Sequence, residues 1–213
     1  MGAKPKLLWA CTSAPVSIRD IIEKEAAELD EYNTKLAKYK RMFESKKPSP
    51  MFDDTDLLEF WNGRDFERPK HRCNGRKPIV GVLFDDILGS KMFSKPRSLN
   101  QFVSFHRHLG PLETMPGAIG CSCFFLVQSY TSQPGLPRTV RNNCTSFILF
   151  KTHNEKELEQ IATELAGEVP KETFHKIYRE AIIDKHDFLF IDLHPKPHFP
   201  SIFRRNFNQF IVP

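Results

Sequence analysis

The chain has 213 residues, of which 40% are hydrophobic and 27% charged, a balance that excludes a disordered or collagen-like protein and is enough to bury the core of one medium domain. Lysine and arginine total 31 against 26 acidic residues, and the resulting charge of +5 accommodates a nucleic-acid partner without requiring one. No run approaches ~18 consecutive apolar residues, which excludes a membrane-spanning helix.

In chain order, the start MGAKPKLLWACTSAP lacks the apolar stretch of a secretory signal. Five cysteines at irregular spacing point to reduced thiols in an intracellular compartment. Residues 6–11 (KLLWAC) read as a short buried strand closed by the loop Thr12-Ser13-Ala14-Pro15. From Val16 to Ser45 the apolar residues keep a helical period. Ile22, Leu29, Leu36 and Phe43 form one row, and Ile18, Tyr32 and Tyr39 its neighbour. The pattern fits a helix packed on a sheet better than a coiled-coil arm. A Pro- and Asp-containing connector spans 46–56, and 57–61 is at most one turn of helix. Between Arg64 and Lys77 there are six basic and two acidic residues. That segment is a solvated loop or, in the sharper alternative, a phosphate-facing patch.

IVGVLFDDIL at 79–88 predicts a central parallel strand buried on both faces, with the pair Asp85-Asp86 at its end. A helix over Leu99–Leu109 follows, with Ser98 as N-cap and Gly110 as its stop. CSCFFLV at 121–127 is a strand, followed by a loop with Gln128, Arg138 and Arg141, and SFILF at 146–150 is another strand. Helical patterns at 155–166 and 171–182 precede a strand at 188–193, and 195–213 is a proline- and Phe-rich extended tail. Alternating strands and helices predict an α/β fold with a mostly parallel sheet flanked by helices.

Open α/β sheets place their chemistry at the carboxyl ends of strands. A carboxylate at the tip of a buried strand can hold Mg²⁺ through water, and an adjacent one can orient or deprotonate an attacking water. Gln128 after the next strand can meet a phosphate oxygen or position water, and Arg138 and Arg141 can neutralise phosphate charge. Taken singly, each residue also has an ordinary role as a turn cap or a surface cation. Together they have the layout of a phosphoryl-transfer site.

With these motifs in hand, IVGVLFDD, the helix SLNQFVSFHRHLG, CSCFFLVQSY, LPRTVRNNCTSFILFK and FHKIYREAIIDKHDFLFIDL, the sequence resembles the FtsK/HerA branch of P-loop proteins. These are the poxvirus-like DNA-packaging ATPases of large DNA viruses, virophages and Polinton-type elements. The resemblance covers residues 79–193. It implies a P-loop-like fold with a long helical insertion at 16–78, and a ring-forming enzyme that couples hydrolysis of ATP with Mg²⁺ to translocation of double-stranded DNA into a capsid. By resemblance, Asp85 is the metal-binding acid, Asp86 the catalytic acid and Gln128 the sensor. Arg141 is the leading arginine-finger candidate and Arg138 the second. Arg107 and His108 face DNA or a neighbouring subunit, or form a solvated helix face. The partners implied are double-stranded DNA, copies of the chain itself, and portal or vertex proteins of a capsid. The location implied is an infected cell or the virion, with no membrane.

The chain departs from the family at one point. It contains no G-x-x-x-x-G-K-[ST], the loop that cradles a triphosphate, and Asn74-Gly75-Arg76-Lys77 has the wrong spacing. In the family that loop and its helix precede a strand like KLLWAC. The expectation is therefore a single ATPase domain truncated at its start, or a non-hydrolysing relative that binds DNA or subunits. A Mg²⁺-dependent nuclease would need further acids, for which Asp184, Asp187 and Asp192 are candidates. A zinc site from His71, Cys73, His106, His108, Cys121 and Cys123 lacks ligand spacing, so core packing is expected for the cysteine pair. The cluster His194-Pro195-Lys196-Pro197-His198 reads as solvated tail.

Overall fold

The computed structural model describes residues 6–9, 14–41, 67–85, 96–131 and 135–213. Asp86, the connector at 46–56, the turn at 57–61, and the end of the first helical pattern with Phe43 lie outside the described residues. The chain divides into two compact units, Met1–Asp85 with Arg97–Leu126, and Asp86–Pro96 with Val127–Pro213. Each has its own sheet, so the α/β class holds in the form of one parallel and one antiparallel sheet.

The first unit holds β1 (Lys6–Trp9), β2 (Val80–Asp85) and β3 (Ser122–Leu126), all parallel, with β2 in the middle. Two helices connect them, as parallel strands require: α1 (Ala14–Tyr39) and α2 (Pro96–Phe105). Both carry proline in the first turn, where its missing N–H costs nothing. The second helix therefore begins earlier than predicted, and Ser98 lies inside it rather than capping it.

The middle strand matches its predicted position and is buried along most of its length, with Gly81 buried and Leu83 half-buried on the face opposite Val82. Val80, Val82 and Phe84 are fully buried, and Phe84 stacks on Phe125 at 4.7 Å and meets Phe102 of α2 edge-on at 6.0 Å. On the neighbouring strand β3, Phe124 and Leu126 are 52% and 51% exposed, and Ile79, just before β2, is 61% exposed. The apolar row of α1 is buried at Ile18, Ile22, Ala26 and Leu29, as expected of a packed helix.

Backbone geometry secures that packing. Gly110 has φ +61°, and a Cβ there would sit 2.8 Å from the Ile22 carbonyl oxygen, so glycine admits α1 at that point. Asp30 accepts hydrogen bonds from the backbone N–H groups of Glu113 (2.9 Å) and Thr114 (3.0 Å), and from the Thr114 hydroxyl. Burial pushes its carboxyl upward, but these bonds outweigh it and leave the pKa below the usual aspartate value.

Three described cations of the basic segment have partners within the unit. Arg72 pairs with Glu25 and Glu28, Lys70 with Glu67, and Lys77 donates to the Pro116 carbonyl at 2.6 Å.

The second unit is a four-stranded antiparallel sheet in the order β4 (Ser146–Leu149), β5 (Leu189–Asp192), β6 (Phe203–Arg205), β7 (Gln209–Ile211). A short helix, α3 (Arg138–Asn143), precedes it, and α4 (Glu155–Leu165) and α5 (Lys171–Ala181) join β4 to β5. Two expectations change here. The strand at 188–193 is present but antiparallel to β4, because two helices intervene and each reverses the chain. The predicted tail is instead the β6–β7 hairpin, turning at Asn206 with φ +55°. Alternation puts Phe147, Leu189, Ile191, Phe203 and Ile211 on the inner face, where they close a core with Ile161, Leu165, Phe174 and Ile177 of the helices. Asn154 caps α4 by accepting from the Glu157 N–H at 3.2 Å.

Candidate functional site

Asp85 is the last residue of the middle parallel strand and is exposed. Its neighbour Asp86 is outside the described residues. Gln128 is exposed two positions past β3, and falls within the second unit with Arg138 and Arg141. Arg107 and His108 belong to a single 3-10 turn, His106–His108, that extends α2 in the first unit, and both are exposed. The predicted residues are thus distributed between the two units, and among the described ones Arg138 and Arg141 line a common cleft.

That place is a cleft of about 320 Å³ in the second unit, lined by Tyr130, Arg138, Arg141, Asn142, Glu164 and Leu165, with Leu193 at its end. The predicted loop carrying the arginines is helix α3, started behind Pro137 and anchored by the buried Val140. Within it the two arginines differ. Arg141 has a side chain only 10% exposed and is bound on all sides. Its Nε and Nη2 donate to the two carboxylate oxygens of Glu164 at 2.9 and 3.0 Å, and its Nη1 donates to the Leu136 carbonyl at 2.5 Å. Its guanidinium lies 4.9 Å from the Tyr130 ring centre, and the Tyr130 hydroxyl donates to Glu164 at 2.7 Å. Burial pushes the Glu164 carboxyl up, but the bonds from Arg141 and Tyr130 prevail and hold its pKa below the ordinary glutamate value. Burial, with Glu164 second, pushes the Tyr130 phenol well up. Arg138, by contrast, is exposed on the rim and has no ion-pair partner among the described residues.

Glu157 supports the same region. Its Oε1 accepts from the Ser129 hydroxyl at 2.9 Å, from the Thr131 N–H at 3.1 Å and from the Tyr130 N–H, so this nearly buried carboxylate shapes the segment after β3. Sequence reasoning did not single out Glu157, Glu164 or Tyr130. The only signal was their placement, two acids on a helical period after a tyrosine-bearing loop.

The remaining candidates have structural duties. Asp192 pairs with Arg204 at 3.0 Å, while Asp184 and Asp187 both pair with Arg205, at 3.2 and 2.5 Å. Each is engaged in an ion pair, with Asp184 and Asp187 sharing one arginine. His71 Nδ1 accepts from the N–H groups of Cys73 and Gly75, at 3.2 and 3.3 Å, which ties its ring to the local turn. Cys121 and Cys123 have their sulfurs 4.0 Å apart and half-buried, and that contact lowers the Cys121 pKa against the opposing effect of burial. Among the described residues no three His, Cys, Asp or Glu side chains converge as a metal site, and no helix is long and apolar enough to cross a membrane.

Asp187 sets an acid limit on the second unit. The Asn206 amide, then the Asp184 N–H and Arg205, hold its carboxyl at about 2, below its usual 3.8. A depressed carboxylate contributes stability that is present above its unfolded pKa and lost as pH falls through the folded one. The hairpin should therefore lose this contribution between about pH 4 and about pH 2. In Asp187→Asn, melting temperature should be lower than wild type above about pH 4, and the two curves should converge near pH 2. Parallel curves throughout would show that the carboxylate is not the stabilising species.

For Mg²⁺ with a nucleotide, Asp85 offers one exposed carboxylate at a strand tip, which suits contact through water. That ion normally draws its other ligands from water and phosphate oxygens. No protein-family model matches the chain, no curated protein matches it, and no solved structure matches it.

Proposed function

We propose that this chain carries the acid-bearing part of a DNA-packaging ATPase of the FtsK/HerA type, hydrolysing ATP with Mg²⁺ and moving double-stranded DNA as a ring of identical subunits. The observation that supports it is the position of Asp85 at the carboxyl end of the middle strand of a parallel sheet, the place where such sheets put ligand chemistry. In this reading Asp85 holds Mg²⁺ through water, Asp86 orients and deprotonates the attacking water, and Gln128 meets the terminal phosphate. Arg141 is committed to Glu164, so the exposed Arg138 takes the role of the cation that meets phosphate charge, and Arg141 positions helix α3 beneath it. Arg107 and His108, both exposed, face DNA or the adjacent subunit. Portal or vertex proteins of a capsid are the partners this function requires.

A second reading, a non-hydrolysing relative that binds DNA or subunits, draws its support from the sequence, which has no phosphate-cradling G-x-x-x-x-G-K-[ST]. One experiment separates the two. ATP turnover and Mg-ATP binding are measured for the chain and for Asp86→Asn, with duplex DNA present. The first reading expects binding by both and a loss of turnover in the variant of at least ~100-fold, the size of a general-base contribution. Unchanged turnover in Asp86→Asn overturns the assignment of that acid, and failure of the chain to bind Mg-ATP favours the second reading.

A further inference from the structure

Sequence spacing points to core packing for Cys121 and Cys123, but neither side chain lies in the core. Both are half-buried, and their sulfurs are 4.0 Å apart. Cys121 immediately precedes β3 and Cys123 is its second residue, so the two share the half-buried face that also carries Phe125.

The main chain holds the pair in place from both ends. Cys123 lies opposite Val82 in the parallel ladder. The Cys121 N–H donates to the His106 carbonyl at 3.0 Å, and the Gly120 N–H to the Leu109 carbonyl at 2.9 Å. Gly120 has φ +64°, and a Cβ there would stand 2.9 Å from the Arg107 carbonyl oxygen. Glycine therefore lets β3 start this close to the turn that ends α2. The two thiols are set on fixed backbone rather than on a loose loop.

Sulfurs at this spacing suit a shared metal ion better than a bond to each other. Two metal–sulfur bonds of about 2.3 Å that open at about 120° place the sulfurs about 4.0 Å apart. A disulfide needs Cβ atoms roughly 3.5–4.5 Å apart. Alternate residues of a strand hold theirs at about 6.6 Å, two rises of the chain. Joining the sulfurs would therefore pull Cys121 away from His106.

The donor set selects the ion. Thiolates are soft ligands, and among the described residues no third His, Cys, Asp or Glu converges on the pair. Zinc in a structural site takes four protein ligands, and magnesium and calcium take oxygen. What remains is a soft monovalent ion that accepts two or three ligands, and copper(I) is the biological one. Its complex with two thiolates carries one negative charge, and the adjoining turn supplies His106, Arg107 and His108 without an acid.

We propose that Cys121 and Cys123 chelate copper(I), each thiol giving up its proton to bind one shared ion, with a third position left to water or a small thiol. The site lies within the first unit and takes no ligand from the residues assigned to ATP hydrolysis, so it stands or falls independently of that reading.

The test is an anaerobic titration of the reduced whole chain with copper(I), at equilibrium against bicinchoninate, a chromophoric chelator of that ion. Expected is one copper held per chain with no change in oligomeric state. Cys121→Ser and Cys123→Ser should each abolish retention, whereas Cys73→Ser and Cys144→Ser should leave it unchanged. A second readout needs no variant. Copper should shield Cys121 and Cys123 of the wild-type chain from alkylation by iodoacetamide, mapped by peptide mass, while Cys73 labels at its copper-free rate. The proposal is overturned by loss of all copper to the chelator, by undiminished retention in the double serine variant, or by alkylation of both cysteines at the copper-free rate. Copper that joins two chains into a dimer overturns chelation within one chain, and equal retention of zinc overturns the choice of ion.

Discussion

Phe174→Ala should destabilise the second unit by about 3–5 kcal/mol, the cost of emptying a phenylalanine site in a close-packed core. Phe174 is fully buried on α5 and meets Phe203 of β6 edge-to-face at 6.0 Å. It joins a helix to a strand distant in sequence, so neighbouring atoms cannot refill the space without moving the sheet. Hydrogen exchange on peptides from 155–181 and 188–211, compared between variant and wild type, should show faster exchange in both sets. The peptides of α1 provide the reference within the same sample. A loss below about 1 kcal/mol would mean that α5 does not rest on the sheet in this register.

Arg141→Ala should cost the same unit about 1–2 kcal/mol, because it removes a nearly buried guanidinium, leaves the Leu136 carbonyl without its donor, and leaves the more exposed Glu164 with only Tyr130 and Gln160 as donors. Arg141→Lys should recover only part of the loss, since an ammonium cannot match both carboxylate oxygens in the plane of a guanidinium. Urea denaturation of the two variants measures both effects. For an arginine whose only task is in a neighbouring active site, both variants would be as stable as wild type. Swinging Arg141 outward would first break three charge-assisted contacts, so the geometry favours the exposed Arg138 for any role outside its own unit.

Much of the fold could be read from residue pattern, and its limits have physical causes. The apolar run of β2 and the helical periods of α1 and α4 were visible, because burial leaves a local mark, whereas the helix start placed at Ser98 was not where the helix begins. Strand direction leaves none. Two helical patterns between SFILF and FLFIDL already required an antiparallel return, but a count of helices conveys this and hydrophobicity does not. The hairpin at the end was hidden because its strands are three residues each and follow a proline-rich stretch, too short for apolar alternation to mark them. In the candidate site, residue types could be read but their engagements could not. Arg138 and Arg141 look equivalent in LPRTVRNN. A helical turn and a distant glutamate make one of them a buried staple and the other a rim cation.

The exposed apolar side chains of β3 bear on how the protein behaves in solution. Among the described residues β3 has a neighbour on one side only, and its sequence SCFFL carries no charge to discourage a further strand. With Ile79, Phe124 and Leu126 showing, what holds one molecule off another is the net charge of +5. That repulsion is long-ranged and screened by salt within about 8–10 Å, whereas strand pairing and apolar contact are short-ranged and salt does not weaken them. Added salt therefore lowers the barrier to encounter without loosening the contact that follows, which makes dilute, low-salt buffer the condition that keeps this chain dispersed.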